Sequence, residues 1–259
     1  MCPLFKLHVA GIEFNIPAYG LIACIGLFCI MLFLYNRIDL LKVSFKKFLL
    51  LILFMGIGVG IGSKFLFILT KIPDIIANFS IRYLLKTIIT SGFVFYGGLF
   101  GAILGVCVYS KVFKLNVSKT LNMIVPAFPM FHAFGRLGCF FAGCCYGKVA
   151  SWGFSLESEP GVLRIPIQLI ESGCILLILV VLLFVEKRFN GTKKLLPIYL
   201  GLYAIIRFIL EFYRGDKIRG IWAGLSTSQW VSVLIIVGII VWKCKTLYYE
   251  RKVTKDERI

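Results

Sequence analysis

The segment PIQLIESGCILLILVVLLFV, residues 166–185, decides the fold. A run of about 20 residues carrying a single charge, here Glu171, has the length of a helix that crosses the roughly 30 Å hydrocarbon core of a bilayer. Working outward, comparable apolar runs lie at about 16–35, 48–69, 92–113, 121–142, 195–213 and 229–244. The run at 121–142 is interrupted by Pro126, Pro129 and glycines, and a broken helix survives at membrane depth only where protein buries it or where it lines a cavity. The expected fold is an all-α integral membrane protein of about seven transmembrane helices, one polytopic membrane domain over residues 1–259.

Composition excludes other classes. Of 259 residues, 59% are hydrophobic and 16% charged, whereas a soluble domain carries about 25% charged residues. The net charge of +17 lies between apolar runs and not along a basic stripe interleaved with aromatics, so no nucleic-acid partner is expected. Nine cysteines in a chain of this length do not make a secreted disulfide scaffold. Cys24, Cys29, Cys107 and Cys174 lie within apolar runs and read as small hydrophobes. The first run follows Glu13 with no small-residue cleavage site, so it reads as a permanent helix and not a signal peptide.

Lysine and arginine bias sets the orientation. The first, third and fifth interhelical loops and the C-terminal segment hold the larger share of the 29 basic residues. These sections are expected in the cytoplasm, with the N-terminus outside and the C-terminus inside. The outer loops then fall at about 71–91, 143–165 and 214–228; the last two are rich in Gly, Ser, Pro and charge and are expected to form a small extracytoplasmic cap. Residues 245–259 read as a basic cytoplasmic tail lying against anionic lipid.

A charge inside a bilayer costs roughly 3 kcal/mol or more and marks function by default. Lys64, Arg136, Glu171, Arg207 and Glu211 are such charges, with His132 beside them. Arg136 sits between Gly135 and Gly138, where a backbone or ligand can approach closely. Tyr203, Arg207 and Glu211 recur at helical spacing and share one face, with Arg214 at the boundary. Two arginines facing a cavity can clamp a phosphate through paired hydrogen bonds, and a phospholipid headgroup in the outer leaflet supplies one. Glu171 and Glu211 can orient those arginines. Gly56, Gly58, Gly60 and Gly62 alternate in the second run, and Gly97, Gly98, Gly101 and Gly105 lie in the third. They allow close helix packing or make room for an acyl chain. Cys139, Cys144 and Cys145 form a C-x4-C-C cluster. A zinc site more often shows paired C-x2-C or added histidines, so no metal is expected. A disulfide, a reactive or acyl-carrying thiol near Arg136, and small residues lining a pocket remain alternatives.

The stretch Phe134-Gly135-Arg136-Leu137-Gly138-Cys139-Phe140-Phe141-Ala142-Gly143-Cys144-Cys145-Tyr146-Gly147 resembles the G-R-x-G-N-F-x-N-x-E-x-x-G signature of the bacterial prolipoprotein diacylglyceryl transferase family. Other pieces agree in order: Ile16 to Gly20 with Tyr19; Gly62-Ser63-Lys64, where the family has G-x-R; and Tyr96-Gly97-Gly98-Leu99, where it has H-G-G-L. Pro166 to Glu171 resembles P-S-Q-L-Y-E and includes Gln168. Tyr203 to Arg214 resembles the Y-x-x-x-R-F-x-x-E-x-x-R helix, and Leu225 to Trp230 resembles the T-x-x-Q start of the last helix. The resemblance covers about residues 15–245. It implies a multi-pass enzyme of the bacterial cytoplasmic membrane that transfers diacylglycerol from phosphatidylglycerol to the lipobox cysteine of a prolipoprotein signal peptide, without metal or organic cofactor. It further implies that Arg136 and Arg207 hold the phosphate, that Tyr19 and Tyr203 line the pocket, and that Gly147 closes the motif.

The chain departs from the pattern at chemically important places. The family histidine is Tyr96 here, its asparagines are Cys139 and Ala142, and its glutamate is Cys144. His132, one helical turn before Arg136, is a candidate replacement base, and Tyr96 is expected to orient or hydrogen-bond. Two other functions fit less of the sequence. One is a lipid-using transferase with a different acceptor. The other is a lipid or solute transporter, for which internal pseudo-symmetry and midplane charges would be expected.

Overall fold

In a computed structural model, residues 4–9, 12–77, 80, 94–192, 194–216 and 221–256 are described. Helices dominate. They are α1 (Ala18–Tyr35), α2 (Phe45–Ala77), α3 (Phe95–Val112), α4 (Val117–Ile124), α5 (Ala127–Phe141), α6 (Ile167–Arg188), α7 (Leu195–Leu210) and α8 (Thr227–Asp256). Among the described residues, six helical segments are long and apolar enough to cross a membrane, with α4 and α5 together forming one of them, and α3 is a shorter apolar helix. The chain is therefore a multi-pass, all-α integral membrane protein. Most of the 71–91 loop, residues 92–93 and residues 217–220 lie outside the described residues.

The expected interruption in the fourth run is a turn at residues 125–126, with Pro126 capping α5. Proline lacks the N–H that would continue α4, and its fixed φ suits the start of a new helix. Two elements run past their expected ends. Helix α2 continues to Ala77, and α8 continues to Asp256, so residues 245–256 of the basic tail are helical. No glycine or proline follows Trp242 to stop α8.

Among the described residues, three antiparallel hairpins add to the helices: β1 (Leu4–Val9) with β2 (Ile12–Pro17), β3 (Val149–Leu156) with β4 (Glu159–Arg164), and β5 (Ile221–Trp222) with β6 (Leu225–Ser226). The β3–β4 and β5–β6 hairpins occupy the two segments expected as cap loops. Backbone pairing joins those segments: Gly147 bridges Arg214, Lys148 N donates to Tyr213 O at 2.9 Å, and Gly215 N donates to Tyr146 O at 3.0 Å. Gly147 has no room for a side chain, because an added Cβ would strike the Ile165 carbonyl.

The chain divides into two compact units, Met1–Met31 with Val125–Ile259, and Leu32–Ile124. In the Leu32–Ile124 unit, α2 and α3 meet backbone to backbone. A Cβ placed on Gly58 or Gly62 would strike the carbonyls of Gly101 or Gly97, and one on Gly105 would strike that of Phe54. Gly56 and Gly60 face open space. The glycines that matter are thus spaced by four, as one helical face requires. Beside this seam lies an apolar groove of about 570 Å³, lined by Phe54, Ile61, Phe65, Phe100, Leu104 and the same glycines.

In the other unit, α5 packs on α6, α6 on α7, and α7 on α8. Outward leucines and phenylalanines such as Phe28, Leu177, Phe184 and Leu234 are exposed, as lipid-facing side chains are. The inward face is polar: His132, Gln168, Glu171, Ser172, Arg207, Glu211 and Ser232 are buried.

Candidate active site

Each helix contributes polar groups from one face. On α5, His132 and Arg136 are four residues apart. On α6, Gln168, Glu171 and Ser172 occupy one inward stripe, and Ser172 Oγ donates to Ala133 O at 3.1 Å, tying α6 to α5. On α7 and the turn after it, Tyr199, Tyr203, Arg207 and Glu211 form an i, i+4 ladder, every member buried.

Glu171 is the centre, with its side chain only 1% exposed. Its Oε1 accepts from Tyr203 Oη at 3.2 Å and pairs with Arg136 Nη2 at 3.1 Å. Its Oε2 pairs with Arg207 Nη1 at 3.4 Å. Arg207 Nη2 then reaches Glu211 Oε2 at 2.9 Å and Ser228 Oγ on α8 at 3.1 Å. Two carboxylates thus balance two guanidinium groups inside the unit, which is how a buried charge is tolerated.

The two arginines differ in what they have left to offer. Arg207 is held by Glu171, Glu211 and Ser228. Arg136 pairs with Glu171 through Nη2, but its buried Nε has no hydrogen-bond partner among the described residues. A guanidinium carries five N–H donors in a planar fork, so Arg136 retains capacity for an anion. His132 lies edge-on to Tyr203, ring centroids 4.6 Å apart. Beside Gly135 the space is open, with nothing within 4 Å of an added Cβ.

The cysteines stand at the end of α5. Cys144 N donates to Cys139 O at 3.1 Å, and Gly143 (φ 69°) and Cys145 (φ 57°) are left-handed, which turns the chain back on itself. The three Sγ atoms come within 4.8 Å of one another. Gln168 Nε2 donates to Cys144 O at 2.7 Å and holds the loop against α6. Arg214 pairs with Asp216 at 3.2 and 3.1 Å and lies within electrostatic reach of Cys145. The Cys139 and Cys144 thiols, with the Arg214 guanidinium, hold the Cys145 thiol well below the ordinary thiol value. Tyr19 lies over Gly138, where an added Cβ would come within 2.9 Å of the tyrosine ring, and within electrostatic reach of the cysteines and Arg136.

A family model described as prolipoprotein diacylglyceryl transferase matches residues 7–244. The chain belongs to this family. Among relatives, it is 36% identical over 187 residues to the phosphatidylglycerol–prolipoprotein diacylglyceryl transferase of Clostridium tetani, covering 70% of this chain and 73% of the relative. To the phosphatidylglycerol–prolipoprotein diacylglyceryl transferase 2 of Clostridium perfringens it is 32% identical over 233 residues, 88% of this chain and 90% of the relative. A relative from Chlorobaculum tepidum is 32% identical over 161 residues, 59% of this chain and 56% of the relative.

In this family member, one unit brings together Tyr19, His132, Gly135, Arg136, Gly138, Cys139, Cys144, Gln168, Glu171, Tyr203, Arg207, Glu211 and Arg214. Lys64, Tyr96, Gly97 and Gly98 belong to the Leu32–Ile124 unit. There Gly97 abuts the Gly62 backbone, and a Cβ on Gly98 would come within 2.8 Å of Ser63 Oγ. Gly147 serves the joint between the two hairpin segments. Sequence reasoning missed Ser228 and Asp216. Ser228 lies in the quoted start of the last helix, and Asp216 follows Arg214 by two, but neither has a spacing that announces its partner.

Proposed function

We propose that this chain transfers a diacylglyceryl group from phosphatidylglycerol to the lipobox cysteine thiol of a prolipoprotein signal peptide, at the outer leaflet of a bacterial cytoplasmic membrane. The observation that carries the reading is the convergence of Arg136 and Arg207 on the buried Glu171, with Arg136 keeping donors in reserve. A donor phosphate takes those donors. Arg207, held by Glu171, Glu211 and Ser228, fixes Glu171 and so fixes Arg136. As the bond between the glyceryl carbon and the phosphate oxygen breaks, negative charge grows on the phosphate, and a fixed guanidinium at low dielectric stabilises that charge most at the transition state. Tyr19, at the lip over Gly138, lines the donor pocket.

His132 takes a positioning role in this scheme. It is buried one helical turn from Arg136, with its ring edge-on to Tyr203. It serves as a wall for Tyr203. The N-terminus lies outside and the C-terminus inside, as the lysine and arginine bias requires. The paired segments 143–165 and 214–228 then form the outer cap over the site.

A second reading, the same donor with another acceptor, is favoured by one observation: cysteine and alanine stand where the pattern has asparagines and glutamate. Expression in a bacterial strain depleted of its own diacylglyceryl transferase tests both. Rescue of growth, with labelled lipid on the lipobox cysteine, supports the first reading. Failure by properly inserted protein rejects it for the second. Arg136→Gln should lower transfer by about 10²–10³-fold, as loss of one fixed donor at a developing oxyanion does.

A further inference from the structure

Cys139, Cys144 and Cys145 are the most concentrated soft-ligand cluster among the described residues, and the scheme above gives them no task. Two of them, Cys139 and Cys144, also stand where the family pattern carries polar groups. We propose that these three cysteines hold a zinc ion with one open coordination position, and that this position binds and activates the acceptor thiol. The inference rests on the transferase reading for the identity of the acceptor, but not for the metal.

Geometry comes first. Zinc–sulfur bonds of about 2.3 Å place tetrahedral ligand sulfurs just under about 4 Å apart. The three Sγ atoms are already no more than 4.8 Å from one another. A turn and a helix end deliver them, so closing the remaining gap takes side-chain rotation and not refolding. Cys144 is exposed and Cys139 and Cys145 are partly so, which leaves a side of the cluster accessible to an incoming thiol. Three protein ligands with an open fourth position is the arrangement of catalytic zinc; structural sites fill all four.

Charge is the second consideration. Three thiolates and a divalent ion sum to −1, and a bound acceptor thiolate brings the total to −2. Arg214 and Arg136 both lie within electrostatic reach of Cys145, and Arg136 of Cys139 as well. These guanidiniums offset the negative complex. A cluster of neutral thiols would gain nothing from them. The third observation is Gln168. This fully buried side chain anchors the Cys144 carbonyl through Nε2, while its Oε1 is buried without a hydrogen-bond partner among the described residues. An acceptor backbone N–H or a zinc-bound water would satisfy it.

The chemistry closes a gap in the reaction. Sulfur must attack carbon as a thiolate, yet the histidine and glutamate of the family pattern are Tyr96 and Cys144 here. A thiol that coordinates zinc is deprotonated outright. On binding, the acceptor S–H proton passes to water. The sulfur lone pair then forms the C–S bond to the glyceryl carbon, and the C–O bond to the phosphate breaks. Its electron pair leaves with glycerol phosphate, and no oxidant or reductant is needed. The same arginine that receives the phosphate adjoins the thiol cluster, so nucleophile and leaving group meet at one place.

The test uses the full chain purified in detergent. Elemental analysis should find about one zinc per chain. Cobalt exchanged for it should give the intense sulfur-to-cobalt charge-transfer band of a thiolate-rich tetrahedral site. Replacing all three cysteines by serine should abolish both signals, while Cys24→Ser and Cys244→Ser should keep them. Cys145→His, which retains a ligand atom, should keep the metal with a weakened charge-transfer band. That variant separates lost coordination from a protein that no longer folds. A cysteine-containing lipobox peptide should shift the cobalt spectrum, and its serine counterpart should not. Chelation should abolish transfer, and zinc should restore it. Metal-free protein that transfers at full rate, or zinc retained by the triple serine variant, would overturn the zinc site alone. Zinc and thiol binding without any transfer of diacylglycerol would instead sink the transferase reading.

Discussion

The two units of this protein hold their helices together by opposite means. In the Leu32–Ile124 unit, α2 and α3 touch through glycines, carbonyl against Cα. In the other unit, α5, α6, α7 and α8 are joined through Glu171, Arg136, Arg207, Glu211, Tyr203 and Ser228. Lipid tails are as apolar as leucine, so burying apolar surface gives helices in a bilayer little reason to associate. Close backbone packing and polar bonding are the remaining options, and each unit takes one. The consequence is a division of sensitivity: the glycine seam should tolerate changes in charge around it but not bulk, and the polar interior should tolerate small changes in bulk but not loss of charge balance.

Glu171→Ala should have the largest effect. It removes the one carboxylate shared by two guanidinium groups and leaves Arg136 buried without its partner, with Glu211 alone against two positive charges. Breaking a buried ion pair in this way costs about 3–5 kcal/mol. Thermal unfolding in detergent should show a severely destabilised protein, and transfer should vanish with it. A Glu171→Ala protein as stable as the parent would mean that the polar cluster does not hold α5, α6 and α7 together, and the contrast between the units would fail.

Gly101→Val comes next. Its side chain would be driven into the Gly58 carbonyl of α2. Overpacking of this kind costs about 1–3 kcal/mol. The matched control is Gly60→Ala, with nothing within 4 Å of the new methyl, which should shift stability by no more than about 0.5 kcal/mol. Equal effects of the two substitutions would show that α2 and α3 are not held at this seam. The pair also tests the four-residue spacing that distinguishes Gly58 and Gly62 from Gly56 and Gly60.

Much of this was legible in the chain itself, for one physical reason. Helical periodicity is local, so spacing alone puts Tyr203, Arg207 and Glu211 on one face. The cost of burying charge then singles out Arg136, Glu171 and Arg207. What periodicity does not encode is the partner. Four alternating glycines look equivalent in sequence, yet two of them meet α3 and two face away. Ser228 reaches Arg207 only because α8 packs on α7. Cys145 joins Cys139 because a left-handed residue reverses the chain, and nothing in a cysteine predicts a positive φ. Basic residues after Trp242 suggest a tail, but charge does not end a helix, and α8 runs on.

The smallest expected effect separates the polar cluster's charges from its hydrogen bonds. Tyr203→Phe deletes the hydroxyl that donates to Glu171 Oε1 at 3.2 Å and leaves the ring against His132. Glu171 keeps both arginines, so no buried charge is stranded, and the loss should be near the usual value of one hydrogen bond, about 1 kcal/mol. If the two units differ as described, that modest loss should appear in unfolding, and transfer should fall by about tenfold or less. A loss as large as that from Glu171→Ala would mean that the tyrosine hydroxyl, and not the balance between carboxylate and guanidinium, keeps Glu171 in place. The arginines would then be consequences of the arrangement and not its cause.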